Sequence, residues 1–365
     1  MSGYLGTPDY SHGFPARLGV LLVNLGTPDE PTTAAVRRYL AEFLWDPRII
    51  EAPRALWWLV LHGIILRTRP KRSAHAYQKV WTPAGSPLLV ESRALTASLA
   101  GRLRDRLGDR VRVELAMSYG NPSIPNALER LRHDNVQRLL VLPMYPQYSA
   151  TTTAAIFERV TRELARWRWV PELRMVNQYW EEDGYVEAVA DAIAAHWREH
   201  GRKHLLFSFH SIPKRYFQAG DPYHCFCQGT ARRVAARLGL ADGDWSVGFQ
   251  SRFGREEWLK PYVDLLLHDY AHTGPKQVTV VCPGFATDCL ETLEEIAMQN
   301  REAFLAHGGE AFDYVPCLNS SAPHVTLYEQ VVLRHAQGWP ELEGRDDSTL
   351  RAESRERALA MGAPA

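Results

Sequence analysis

Residues 204–216 read HLLFSFHSIPKRY. An apolar run from Leu205 to Phe209 leads into His210, and Pro213 follows three residues later. Proline cannot donate to a strand ladder, so the run cannot continue as a central strand beyond it. The segment predicts a strand with His210 at its carboxyl end, above the sheet. The same unit recurs on both sides. Strands are expected at Leu18–Leu25, Arg112–Met117, Arg138–Leu142, Leu173–Asn177, His204–Phe209, Trp245–Phe249, Gln277–Cys282 and Phe312–Pro316. Helical stretches alternate with them, at Thr33–Phe43, Glu91–Arg106, Pro125–His133, Thr152–Trp167, Asp183–His200, Thr230–Leu238, Glu257–His268, Asp288–Ala306 and Pro323–His335. Such alternation predicts an α/β protein with parallel sheets and helices on both faces. A break near Trp167–Glu172 divides it into Rossmann-like domains at 17–170 and 171–337, with a cleft between them at the strand ends. Pro323–His335 is expected to pack back on the first domain, and 338–365 reads as a frayed polar tail.

The bulk numbers restrict the function. The chain has 365 residues, enough for two domains, with 42 basic and 42 acidic residues and a formal net charge of zero. No global field would draw in nucleic acid. The five cysteines form no disulfide framework and suit a reducing compartment. No secretory signal opens the chain, and the longest apolar stretch, Ala55–Leu66, is shorter than the roughly 20 residues that span a bilayer. No glycine-rich phosphate loop follows a strand, so a nucleotide cofactor is not expected. No cysteine pair has the spacing of a structural zinc site.

In an open α/β sheet, chemistry gathers where strands end. His210 is one candidate, although a lone histidine there is more often a half-buried group bonded to its loop. The run VVCPGFATDCLETLEEIAMQN, 280–300, is another: a strand ends at Cys282, and Asp288, Glu291 and Glu295 follow at i, i+3 and i+7 on one helix face. By itself such a row is usually a solvated helix face. Beside an imidazole it is equipment for binding a divalent metal and for accepting protons. The stretch ALWWLVLHGIIL, 55–66, is flanked by Arg54, Arg67, Arg69, Lys71 and Arg72. It reads as core, or as a lip over a flat apolar ligand or a membrane surface.

Taken together, LLFSFHSIPKRY, DPYHCFC, GFQSRFGREEWLKPY, CPGFATDCLETLEEI and LPMYPQYSATTT resemble the signature segments of the ferrochelatases, over roughly Leu18 to Arg334. The resemblance implies a class II chelatase fold, two Rossmann-like domains around a porphyrin cleft. It implies insertion of Fe2+ into protoporphyrin IX, with His210 and Glu291 binding metal and removing protons on one face of the ring. Asp288 and Glu295 match flanking members of an acidic row. Leu25 matches a position on the opposite face, and Tyr119, Tyr145, Trp258 and Phe285 match residues that line or support the cleft. It also turns Ala55–Leu66 from core towards lip. Two departures stand out. Cys289 occupies the place of a second histidine of many relatives. Ala150 stands where cluster-bearing relatives place a cysteine, and no cysteine follows Gly338, so no iron–sulfur cluster is expected. No permanently bound cofactor is expected, and Fe2+ is a substrate. The chain is expected in the cytoplasm with a peripheral membrane contact. The competing readings are a coproporphyrin ferrochelatase, a cobalt or nickel chelatase of the same fold, and a non-catalytic porphyrin carrier.

Overall fold

The computed structural model describes residues 3–7, 10–254, 256–344 and 348–363. All eight expected strands are present: β1 (Arg17–Thr27), β2 (Val111–Gly120), β3 (Val136–Pro143), β4 (Glu172–Met175), β5 (His204–His210), β6 (Trp245–Gln250), β7 (Gln277–Val281) and β8 (Ala311–Val315). They form two four-stranded parallel sheets, ordered β2-β1-β3-β4 and β6-β5-β7-β8. Leu18 and Val20 to Val23 of β1 are wholly buried, as strands covered on both faces must be.

The two orders are the same, and this places the site. In each sheet the chain starts centrally, runs to one edge, then returns to the other side of its first strand. The order therefore reverses between β1 and β3, and again between β5 and β7. A crevice opens at the carboxyl ends of such strands. Leu25 lies near the end of β1, Tyr145 follows β3, His210 ends β5 and Phe285 follows β7.

The helices run in chain order as α1 (Thr33–Trp45), α2 (Arg54–Val60), α3 (Leu66–Val80), α4 (Pro87–Leu107), α5 (Ile124–His133), α6 (Thr153–Leu164), α7 (Asp183–His200), α8 (Lys214–Gln218), α9 (Tyr223–Arg237), α10 (Val263–His272), α11 (Arg301–Ala306), α12 (Ala322–His335), α13 (Pro340–Glu343) and α14 (Ser348–Ala360). Two π-helical segments interrupt them, Leu61–Ile65 between α2 and α3, and Glu291–Asn300 running into α11.

Three expectations need correction. The helix expected at Glu257–His268 starts only at Val263, because 258–262 pairs across the chain instead: Trp258 bridges Pro213, and the Pro261 carbonyl accepts from Phe249 N–H at 2.8 Å. The helix expected at Thr230 starts at Tyr223, where Asp221 Oδ1 accepts the Tyr223 N–H at 3.0 Å. The tail expected to fray from Gly338 instead begins by docking on the first sheet, while its residues 345–347 and 364–365 lie outside the described ones. Trp339 is buried, donates its Nε1–H to Glu172 at 2.6 Å and lies under the Arg174 guanidinium. Buried Glu341 pairs with Arg138 at 2.7 Å.

α12 packs against α4 in the first half, where Arg102 reaches Thr326 and Glu329. Among the described residues, no helix is long and apolar enough to cross a membrane.

Candidate active site

A cleft of ≈ 650 Å³ lies between the two sheets. The first half lends it Leu25, Phe43 and, from α3, Arg69 and Arg72. The second lends it His210, Ser251, Arg252, Phe253, Phe285, Leu290, Glu291, Glu294, Glu295 and Gln299.

His210 is the last residue of β5, and the Ser211 N–H anchors the turn by donating to Gln250 O at 2.8 Å. His210 Nδ1 lies 2.6 Å from the Ser211 carbonyl oxygen. A carbonyl only accepts, so Nδ1 carries a proton, and whenever the ring is neutral it is Nε2 that offers a lone pair to a ligand or a proton. The Phe285 ring lies 6.5 Å away, centroid to centroid.

Glu291 opens the π-helical segment, whose wider i→i+5 turn is a common feature of functional sites. Glu291, Glu295 and Gln299, four residues apart in turn, all reach the cleft. Glu295 Oε1 accepts the Ser251 N–H at 2.9 Å, and Oε2 accepts from the Ser251 hydroxyl. Ser251 has φ of 66°, a left-handed conformation that is uncommon outside glycine and clusters at functional sites. Burial pushes the Glu295 carboxyl above its usual range, against the pull of Ser251 and His210, and the Glu291 charge pushes the same way. Buried Gln250 ties the acidic segment to the sheet: its Nε2 donates to the Glu291 carbonyl at 2.9 Å, and its Oε1 accepts from Ser208 Oγ at 2.5 Å. A second, polar cavity of ≈ 440 Å³ shares Arg72, Ser251, Arg252, Glu295 and Gln299 with the cleft and adds Asp264 and Asn300.

The residues expected from sequence do not all reach the cleft. Leu25, His210, Phe285, Glu291 and Glu295 line the cleft. Tyr119 and Trp258 stand behind it. Tyr119 is buried, donates to Asp46 Oδ2 at 3.0 Å and meets the edge of Phe43. Trp258 Nε1 donates to the Phe253 carbonyl at 2.8 Å. Each therefore supports a ring that does line the cleft. Tyr145 is half-buried, its hydroxyl is buried without a partner, and burial, with the Glu291 charge nearby, opposes its ionisation.

Asp288 is the correction. It precedes the π-helical segment, and its carboxylate accepts from Thr292 Oγ1 at 2.9 Å, Tyr314 OH at 2.5 Å and Asn319 Nδ2 at 2.7 Å. It is a buried knot in the wall, and the i, i+3, i+7 face assumed α-helical spacing that the π segment does not have. Glu294 reaches the cleft instead, neutralised by Lys79 at 2.8 Å. Cys289 is buried beside Glu291, and burial raises its thiol well above the ordinary range, so it stays a neutral S–H group. Among the described residues, no three His, Cys, Asp or Glu side chains close on one point as a ligand set.

The Ala55–Leu66 stretch is both core and lip. Trp57, Leu61, Ile65 and Leu66 are buried, whereas Leu56, Trp58, Leu59 and Ile64 are exposed. Arg69 from α3 brings its guanidinium to 5.0 Å from the Phe253 ring centroid.

The reading of the sequence missed Phe43, Gln250, Ser251, Arg252, Phe253 and Glu294. Gln250 to Phe253 do follow a predicted strand, a positional signal that was available.

The fold and the site define a chelatase of class II. Among solved structures, the chain is similar to SirB from Bacillus subtilis with Fe3+, at 12% identity and a TM-score of 0.53, over 91% of this chain and 99% of that one. It is similar too to the sirohydrochlorin chelatase SirB from Bacillus subtilis subspecies spizizenii in complex with cobalt, at 10% identity and a TM-score of 0.51, over 90% and 98%. These likenesses carry the fold alone. The ferrochelatase family model matches residues 17–336. Curated ferrochelatases of Thioalkalivibrio sulfidiphilus and Nitrosococcus oceani are 54% and 55% identical, over 98% of both chains and 99% of both chains respectively. The chain belongs to the ferrochelatase family, lyases that insert Fe2+ into a porphyrin in haem synthesis.

Proposed function

We propose that protoporphyrin IX fills the cleft between Leu25 and the His210–Glu291 pair, and that these two groups carry the metal insertion. The observation that supports this most is the meeting of His210 and Glu291 in one largely apolar cleft. Leu25, Phe43, Phe253, Phe285 and Leu290 supply flat apolar contact for a macrocycle. Arg69, Arg72 and Arg252 offer cations to its acidic side chains.

The reaction exchanges two pyrrole N–H protons for one Fe2+. His210 Nε2 and the Glu291 carboxylate each accept one proton. Glu295 has an affinity for protons raised by burial, so it can hold one on its way to the polar cavity beyond. Apolar packing that bends the ring exposes its nitrogen lone pairs to the incoming ion.

Fe2+ is cargo in this reading, and the chain holds no iron–sulfur cluster, with Ala150 at the first ligand position and no cysteine beyond Cys317. The protein works in the cytoplasm as two units, 17–170 and 171–337. Exposed Leu56, Trp58, Leu59 and Ile64, with basic Arg67 and Lys71 nearby, touch a membrane surface without entering it.

The test is anaerobic insertion followed by absorbance, beside fluorescence titration of protoporphyrin. Glu291→Gln keeps shape and removes a proton acceptor, so turnover should fall ~10²–10⁴-fold with porphyrin affinity retained. His210→Ala should behave alike. Turnover within a few-fold of wild type in either variant would remove that residue from the mechanism.

A further inference from the structure

The acidic π-helical segment continues into α11 and ends at the molecular surface at His307. There it meets α10, which presents His268 and His272 one turn apart. All three imidazoles are exposed. Their ring centroids are separated by 4.4 Å (His268 and His272), 5.1 Å (His268 and His307) and 6.2 Å (His272 and His307). The cleft chemistry uses none of them.

That spacing has a chemical meaning. A zinc-type ion binds imidazole nitrogen at about 2.0–2.1 Å, which puts each ring centre about 3.2 Å from the metal, and tetrahedral angles then separate the centres by about 5 Å. The three observed separations bracket that value. The second observation concerns the other ring nitrogen. A ligating histidine normally directs its remaining N–H at a carbonyl or carboxylate, which sets the tautomer and orients the ring. His272 Nδ1 lies 2.7 Å from the His268 carbonyl oxygen, and His307 Nδ1 lies 2.6 Å from the Ala303 carbonyl oxygen. His268 Nδ1 lies 3.7 Å from the Asp269 carboxylate. His272 and His307 thus keep Nε2 for a ligand, while the 3.7 Å contact to Asp269 is too long for a hydrogen bond and leaves the His268 tautomer unset. As the rings stand, no three such groups among the described residues are closed on one point. His272 and His307 are held by their carbonyl bonds, and exposed His268, with only the long Asp269 contact, is the ring whose broad χ2 torsion can turn to close the set.

We propose that His268, His272 and His307 form a surface site for a divalent first-row transition cation, separate from the catalytic cleft. Three neutral nitrogens leave a fourth position for water and suit ions such as Zn2+ and Co2+. Lys276, whose ammonium takes the Ala271 and His272 carbonyls at the end of α10, holds a positive charge nearby and keeps the affinity modest. An ion held here would clip the end of α10 to the end of the helix that carries Glu291 and Glu295.

Co2+ is the probe, because its visible absorption is far stronger in a four-coordinate site than in its aqua ion. The full chain should take up one Co2+ with an intense visible band, and Zn2+ should displace it. The band should persist in a His210→Ala, Glu291→Gln double variant. It should be lost in His272→Ala and in His307→Ala, each weakening the site by more than the roughly 10–100-fold that losing an outer-shell partner costs. Far-ultraviolet circular dichroism confirms that these surface variants are folded, and their iron insertion should match wild type. Absence of the band in wild type would overturn the proposal. So would its survival in the His272 and His307 variants, or its loss in the cleft variant.

Discussion

Trp57 and Trp58 are neighbours with opposite fates, and replacing each by Ala separates core from lip. Trp57 is 9% exposed and donates its Nε1–H to the Leu44 carbonyl at 2.7 Å. Truncating a buried tryptophan costs ~3–5 kcal/mol, and the orphaned carbonyl adds about 1 kcal/mol. Trp58 is 51% exposed. A surface truncation there should change stability by no more than about 0.5 kcal/mol. Its loss should be felt at a membrane. Half of a side chain that buries roughly 150–250 Å² is about 75–130 Å², which at ~25 cal/mol per Å² is worth about 2–3 kcal/mol, or roughly 30–150-fold in partitioning. Urea unfolding and liposome flotation read the two effects separately. Trp57→Ala should unfold at lower urea, and Trp58→Ala should unfold like wild type yet fail to float. Flotation of Trp58→Ala equal to wild type would refute the lip as the membrane contact. Normal stability of Trp57→Ala would refute its place in the core.

Two further outcomes concern the acidic segment. The folded state raises the Glu295 pKa, so its favourable contribution is present below the unfolded value of about 4.3 and is lost as pH rises through the folded value. Glu295→Gln should therefore gain stability over wild type between pH 4 and pH 8, measured by urea unfolding at each end; a gain that is constant or larger at pH 4 would contradict the buried-carboxyl account. Asp288→Ala strips the acceptor from three side-chain donors, at about 1–3 kcal/mol for each one left buried and unpaired. It should lower the unfolding midpoint while the folded protein keeps its insertion rate within a few-fold, and normal stability with collapsed turnover would return Asp288 to the chemistry.

Much of this was legible in the residues, and the reasons are local. Apolar runs closed by turn residues placed all eight strands, because a strand's pattern is written in its own side chains. His210 could be placed at a strand end because Pro213 stops the ladder nearby. The helix starts at Tyr223 and Val263 were harder. One depends on an aspartate that also accepts from Ser149 and Ala150 far away, the other on a cross-chain pairing of 258–262.

By itself, then, the sequence determined the α/β alternation, the strand ends where chemistry gathers and, through its motifs, the family. Tertiary structure alone decided which side chains meet. The wider turn of the π segment and the pull of Thr292, Tyr314 and Asn319 took Asp288 into the wall and brought Glu294 and Gln299 to the cleft. Contact with Leu44 buried Trp57 and left Trp58 outside. Docking against Glu172 and Arg138 fixed Trp339 and Glu341, at the start of a tail whose composition reads as polar and loose. Each of these outcomes rests on partners tens to hundreds of residues distant, or on a hydrogen-bond register that composition does not encode. Local periodicity cannot report them.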